Sequence, residues 1–151
     1  MKEATGDVTR GLDPFLQFLV TLSNSHNISF PVTLTVGGQL VTGDLVSRSR
    51  YFDGLADLVT EGLEEKANMM STFIDMFRES AVPPDETPAL SGDPQPEFIH
   101  LANAFVYTSD QRALPTDRSL LWRGRLSMIG GFSLGKLEYR VRVGEPPSTT
   151  S

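Results

Sequence analysis

The sequence contains no cysteine and has two histidines, His26 and His100. The absence of cysteine excludes disulfides, thiolate nucleophiles and cysteine-ligated metal ions. With only two histidines, few residues are candidates for metal ligands or for the base of a serine triad. No G-x-S-x-G motif is present. We therefore expect no catalytic residues, no cofactor and no metal ion, and we expect a protein that is not an enzyme.

The sequence also lacks any run of about 18 apolar residues, the length that predicts a membrane-spanning helix. Its first residues, Met1 to Ala4, have no apolar core of the kind that signal peptides carry, and this favours a cytoplasmic location. Hydrophobic residues nevertheless make up 39% of the chain, which is enough for a globular core.

Charge is distributed unevenly along the chain. The formal net charge of -6 divides into -9 over residues 1–97 (6 basic, 15 acidic) and +3 over residues 98–151 (7 basic, 4 acidic). The two parts either neutralise each other within one fold or attract other copies of the chain, in which case added salt would weaken self-association.

Local signals predict the first half of the fold. Asp13-Pro14 is typical of a helix start, and the helix should end near Asn24. Residues 32–36 alternate as a strand, and Gly37-Gly38 fits the tight turn to a second strand over about residues 39–48, where Gly43 suggests a bend or a close backbone approach. A long amphipathic helix from Tyr51 follows, either as one rod or as two helices joined near Gly62.

The second half is predicted to be three strands that follow an acidic linker rich in proline, residues 82–97. The strands start at Phe98, Leu120 and Phe132, with a hairpin turn at Gly130-Gly131 and a bulge at Gly135 before the last strand continues to Val143. We place His100 on the outer face of the sheet.

These elements predict an α+β fold with an N-terminal helix and a long helix inserted after the first hairpin. The sheet is expected to be a five-stranded antiparallel small barrel of SH3-like or Sm-like type, or an open sheet. The domain spans residues 13–143 and includes the linker, between a flexible leader, residues 1–12, and a disordered tail, residues 144–151.

Three patterns that resemble functional motifs have plainer explanations. Gly130-x-x-x-x-Gly135-Lys136 resembles a phosphate-binding loop, but Leu137 replaces the required serine or threonine and a strand pattern follows. The acidic residues spaced four apart from Asp53 fit an exposed helix face. The methionines near Phe73 fit a helix that buries them on its own sheet more readily than a binding face.

A set of short motifs resembles the gas vesicle accessory protein U family (GvpU-like). It comprises Phe98-Ile99-His100-Leu101 with Asn103 and Tyr107, Trp122-Arg123-Gly124-Arg125, Gly131-Phe132, and Leu134-Gly135-Lys136. The resemblance covers roughly residues 13–137. It implies a non-enzymatic cytoplasmic protein that is associated with gas vesicles and serves their assembly or organisation. The linker is richer in proline than the family pattern, and the strand-like residues 139–143 replace a polar tail.

We therefore expect a protein that self-associates and contacts the gas vesicle shell or other gas vesicle proteins, with no membrane or nucleic acid as partner. The expected interaction surface comprises Trp122, Arg123, Arg125, Phe132 and Lys136. Alternatively, Trp122 and Phe132 belong to the core. The alternative function is an Sm-like oligomeric barrel that binds single-stranded RNA through a basic sheet face.

Overall fold

The computed structural model describes residues 11–62, 67–79 and 95–137. The predicted tail and the strand pattern beyond Leu137 lie outside the described residues. So do all but the last two residues of the predicted leader and all but the last three of the predicted linker.

The described residues form three α-helices, six strands and one 3-10 turn. In chain order they are α1 (Pro14–His26), β1 (Phe30–Val36), β2 (Gln39–Val46), α2 (Arg48–Gly62), α3 (Ala67–Glu79), β3 (Phe98–Tyr107), β4 (Ala113–Leu114), β5 (Leu120–Arg125), the 3-10 turn Leu126–Met128, and β6 (Ile129–Leu134).

The strands form one antiparallel sheet that is not closed. Its order is β4-β3-β2-β1-β6, and β5 pairs with β3 on the same edge as β4. The 3-10 turn Leu126–Met128 links β5 on one edge to β6 on the other. The α+β prediction is confirmed. The sheet is open and has six strands where five were predicted, because β4 has only two residues and leaves no alternation in the sequence.

The predicted second hairpin is wrong. Gly130 and Gly131 lie inside β6, which pairs with β1, and β5 pairs with β3. The chain turns earlier, where the Leu126 backbone N–H donates to the Glu97 carbonyl at 2.9 Å and the Leu126 side chain is buried. Because Leu126 continues the apolar alternation of β5, sequence pattern alone extended that strand through the turn.

The first hairpin is confirmed. Gly37 and Gly38 have positive φ angles of 54° and 86°, as a type I′ turn requires, and Val36 pairs with Gln39. Gly43 is also confirmed as a close approach, since a Cβ there would lie 2.9 Å from the Ala102 carbonyl oxygen. The register of β2 against β3 shifts at this point.

Helix α1 starts as predicted and ends two residues later than predicted. The Asp13 carboxylate accepts the Phe15 backbone N–H at 2.9 Å. The helix ends at His26, and Asn27 adopts a left-handed conformation (φ 55°) while its N–H donates to the Ser23 carbonyl. Asparagine tolerates this conformation and can terminate a helix as glycine does.

Helices cover both faces of the sheet. One core lies between α1 and the sheet, and its buried residues are Leu16, Leu19, Val20, Val32, Leu34, Val41, Leu45, Ile99, Leu101, Ala104 and Leu126. A second core lies under α2 and α3, and its buried residues are Val46, Tyr51, Phe52, Ile74 and Ala102. Strand β3 therefore has buried side chains on both faces.

The long amphipathic segment is two helices that pack against each other in antiparallel directions. The Phe52 and Phe77 rings lie 5.6 Å apart, and Arg78 Nη1 lies 2.5 Å from Asp53 Oδ1. In one continuous helix, residues 25 positions apart would be separated by roughly 37 Å. The alternative of two helices is therefore correct, and the connection lies outside the described residues.

Candidate interaction surface

The five predicted surface residues do not lie on one face. Trp122 pairs with Leu101 in register and Phe132 pairs with Leu34, so both lie on the α1 side of the sheet. Arg123, opposite His100, lies on the other side, beside α2.

Trp122 and Phe132 are partly buried and pack against the α1 core. The Phe132 ring centroid is 5.9 Å from that of Phe15 on α1. The Trp122 indole lies over Gly124, where a Cβ would come within 2.4 Å of the ring. Gly124 therefore permits the close packing of Trp122 along its own strand.

Arg123 and Arg125 lie over the same aromatic ring. The guanidinium carbon of Arg123 is 3.9 Å from the Phe98 ring centroid and that of Arg125 is 4.9 Å away. Arg123 also lies 5.9 Å from the Phe52 ring. These cation–π contacts fix two positive charges close together at the β3–β5 edge.

His100 is buried, so its predicted position on an exposed outer face is wrong. It is 2% exposed, its ring centroid is 4.8 Å from that of Tyr51, and it contacts Phe52. Strand alternation correctly separates its face from that of Ile99, but α2 covers the second face as well. Sequence periodicity shows that two faces differ and does not show whether the second is covered.

The His100 imidazole is held neutral. Its pKa is lowered from 6.5 to about 3, chiefly by burial and also by the positive charge of Arg48. Arg123 Nε donates to His100 Nε2 at 3.1 Å, which requires an unprotonated Nε2. The ring therefore acts as a hydrogen-bond acceptor that orients Arg123.

The same environment affects two neighbours of His100. Burial raises the pKa of the Tyr51 hydroxyl, against the opposing charge of Arg123. Burial lowers the pKa of Arg123; nearby Tyr51 opposes that shift, and the charges of Arg125 and Arg48 add to it. We call Arg48, Arg123 and Arg125 the arginine cluster. Arg48 lies on α2, and Arg123 and Arg125 lie on β5. The sequence alone could not show that these two elements are adjacent.

Lys136 has a structural partner. Its Nζ lies 3.3 Å from Asp44 Oδ1, and Asn103 Nδ2 donates to Asp44 Oδ2 at 2.9 Å. The preceding Gly135, at φ 107°, donates its N–H to the Pro31 carbonyl. The glycine–lysine motif thus turns the chain across β1 and β2, as expected for a sequence that only resembles a phosphate-binding loop.

Four large apolar side chains of α3 are exposed: Met69 (69%), Met70 (39%), Phe73 (52%) and Met76 (50%). The expectation that the sheet buries these methionines is wrong. Ile74 is the α3 residue that the second core buries, because α3 packs on α2 and extends the layer beyond it.

The described residues contain no group of three or more histidine, aspartate or glutamate side chains placed to hold a metal ion. In the same ranges, no helix is long and apolar enough to cross a membrane. A pocket of about 450 Å³ opens near the first hairpin and has no charged lining; it is lined by Gly38, Leu40, Tyr107, Thr108, Ser109, Gln111 and Leu137.

The described residues define a small α+β protein built on an open antiparallel sheet, with charged and apolar clusters on its surface. The model of the gas vesicle protein GvpU-like family matches residues 13–137, and the chain belongs to this family. This is a gas vesicle accessory family and not a known enzyme family. No curated protein and no solved structure matches the chain. Nothing in the comparisons supports the RNA-binding alternative.

Proposed function

We propose that this chain is a non-enzymatic accessory protein that self-associates and helps to assemble, organise or cluster gas vesicles in the cytoplasm. The observation that carries the proposal is the family match, which spans nearly the whole described fold. The proposed partners are other copies of the chain and the gas vesicle shell or another gas vesicle protein.

The open sheet supports self-association. Within the described residues, β6 pairs with β1 alone, and no second described strand lies along its other edge. An edge of this kind can pair with a strand of another molecule. The exposed Phe15 and Phe18 on α1 and the exposed Leu134 on β6 add apolar surface.

Arg123 and Arg125 are the proposed contact residues of the predicted surface. Arg125 is exposed, and Arg123 lies beside it over Phe98. In this proposal, Trp122 and Phe132 stabilise the sheet that presents the arginines, and Lys136 fixes the chain across that sheet. The three contribute to the surface by holding its shape.

Two measurements test the proposal. The solution mass of the purified chain should rise with protein concentration, and the chain should float with purified gas vesicles during centrifugation. The double variant Arg123→Glu, Arg125→Glu should reduce co-flotation, whereas Arg112→Glu, at an exposed arginine between β3 and β4, should not. A chain that remains monomeric and does not float with vesicles would contradict the proposal.

A further inference from the structure

Two like charges share one aromatic ring at the β3–β5 edge. The guanidinium carbons of Arg123 and Arg125 lie 3.9 and 4.9 Å from the centroid of Phe98. Arg125 is exposed and forms no ion pair with any residue in the ranges 11–62, 67–79 and 95–137. The two positive charges add at this edge, so a carboxylate that approaches Arg125 is attracted by both.

The chain itself contains a segment of matching charge. Residues 80–94 carry three acidic residues, Asp85, Glu86 and Asp93, and no basic residue. Asp85 and Glu86 are adjacent, as are the two guanidinium groups over Phe98. Four of the fifteen residues are proline, which restricts the backbone and lowers the entropy lost when such a segment binds.

We propose that Arg123 and Arg125, side by side over Phe98, form the docking site for the acidic segment, residues 80–94, of a second copy of the chain. The inference rests on the proposed self-association and names the surfaces that meet. Each copy has one basic site and one acidic segment. Two copies can exchange segments as a closed pair, whereas binding of the segment to a third copy extends the contact into rings or open chains, which can link several vesicles.

The length of the segment permits this contact. Fifteen residues span at most about 50 Å when extended, so residues near the middle can reach a neighbouring molecule while both ends stay attached to their own fold. The attraction is between exposed charges, and salt therefore weakens it, because the screening length falls from roughly 10 Å at 0.1 M to roughly 3 Å at 1 M.

A peptide titration tests the docking site directly. The host is the full chain with a neutral segment, carrying Asp85→Asn, Glu86→Gln and Asp93→Asn, and the probe is a fluorescent peptide of residues 80–94. We expect saturable binding at low salt, and Arg125→Glu in the host should weaken it about tenfold. The matched charge change Arg112→Glu should leave it unchanged. No binding, or equal loss in both variants, would overturn the proposal.

Mass measurements then test whether the segment binds in a second copy. The wild-type assembly should shrink in high salt, on addition of excess peptide, and in the neutral-segment variant. If the peptide binds the neutral-segment host while that variant assembles like the wild type, the segment docks within its own chain and the proposal is wrong. Tighter binding of a single-stranded RNA of equal length, without peptide binding, would also overturn it.

Vesicle flotation separates this inference from the proposed function. If the wild-type chain self-associates and floats with vesicles but the peptide does not bind, the docking inference alone fails. If the peptide binds and dissociates assemblies but the chain never floats with vesicles, the vesicle function fails and the docking site stands.

Discussion

The indole ring of Trp122 lies against Gly124, two residues further along β5. A Cβ on residue 124 would lie 2.4 Å from Cη2 and 2.8 Å from Cζ3 of the indole. Both residues therefore act as one packing unit, since the ring can lie flat along the strand only while position 124 has no side chain.

The variant Gly124→Ala should lower the free energy of unfolding by about 1–3 kcal/mol, because the added methyl group must displace the indole. Urea unfolding measures the change through the transition midpoint. Gly131→Ala in β6 is the matched control, since a Cβ there meets nothing within 4 Å. Equal stability of the two variants would contradict the packing of Trp122 on Gly124.

The variant Asp13→Ala should cost about 1 kcal/mol of stability, because it removes the carboxylate that accepts the Phe15 N–H at the start of α1. Asp13→Asn should stay close to the wild type, since asparagine also accepts this bond. Thermal or urea unfolding of the three chains checks the order. If Asp13→Asn is destabilised while Asp13→Ala is as stable as the wild type, the Asp13 side chain does not cap α1.

The Asp13 cap is one of the features that the sequence alone could predict. The Asp13 cap and the Gly37-Gly38 turn depend on neighbouring residues, so local chemistry determines them. The chain reversal at Leu126 depends on a hydrogen bond to Glu97, 29 positions away, and no local pattern marks it. Periodicity identified five of the six strands, missed the two-residue β4, and could not show which strands pair.

The candidate surface shows the same limit. The sequence contains Arg123 and Arg125 at a spacing that places them on one strand face, and this pairing is observed. Their aromatic support, Phe98, lies on β3, and Arg48 lies on α2, so the cluster exists only once three elements meet. The burial of His100 likewise depends on α2 covering a second face of the sheet.

Phe73 and Ile74 are adjacent on α3, and their truncation to alanine should change the free energy of unfolding by different amounts. Ile74 is 4% exposed in the second core, and Ile74→Ala should cost about 2–5 kcal/mol. Phe73 is 52% exposed, and Phe73→Ala should change stability by less than about 0.5 kcal/mol. Urea unfolding of both variants measures the contrast. A larger loss for Phe73→Ala would show that α3 presents a different face to the core.

His100 should make the stability of the fold depend on pH. Its folded-state pKa of about 3 is below the ordinary value of 6.5, so the unfolded chain binds a proton that the folded chain excludes. Above pH of about 6.5 the ring is neutral in both states; as pH falls from there toward about 3, stability is progressively lost. At pH of about 5 the loss should reach about 2 kcal/mol.

His100→Gln retains an oxygen that can accept the Arg123 N–H but cannot titrate, so the difference in stability between wild type and variant should narrow as pH falls. Urea unfolding at several pH values measures it, and His26→Gln, at an exposed position at the end of α1, is the matched control. If the His100→Gln and wild-type profiles are parallel from neutral pH to about pH 5, His100 is not held neutral by the folded chain.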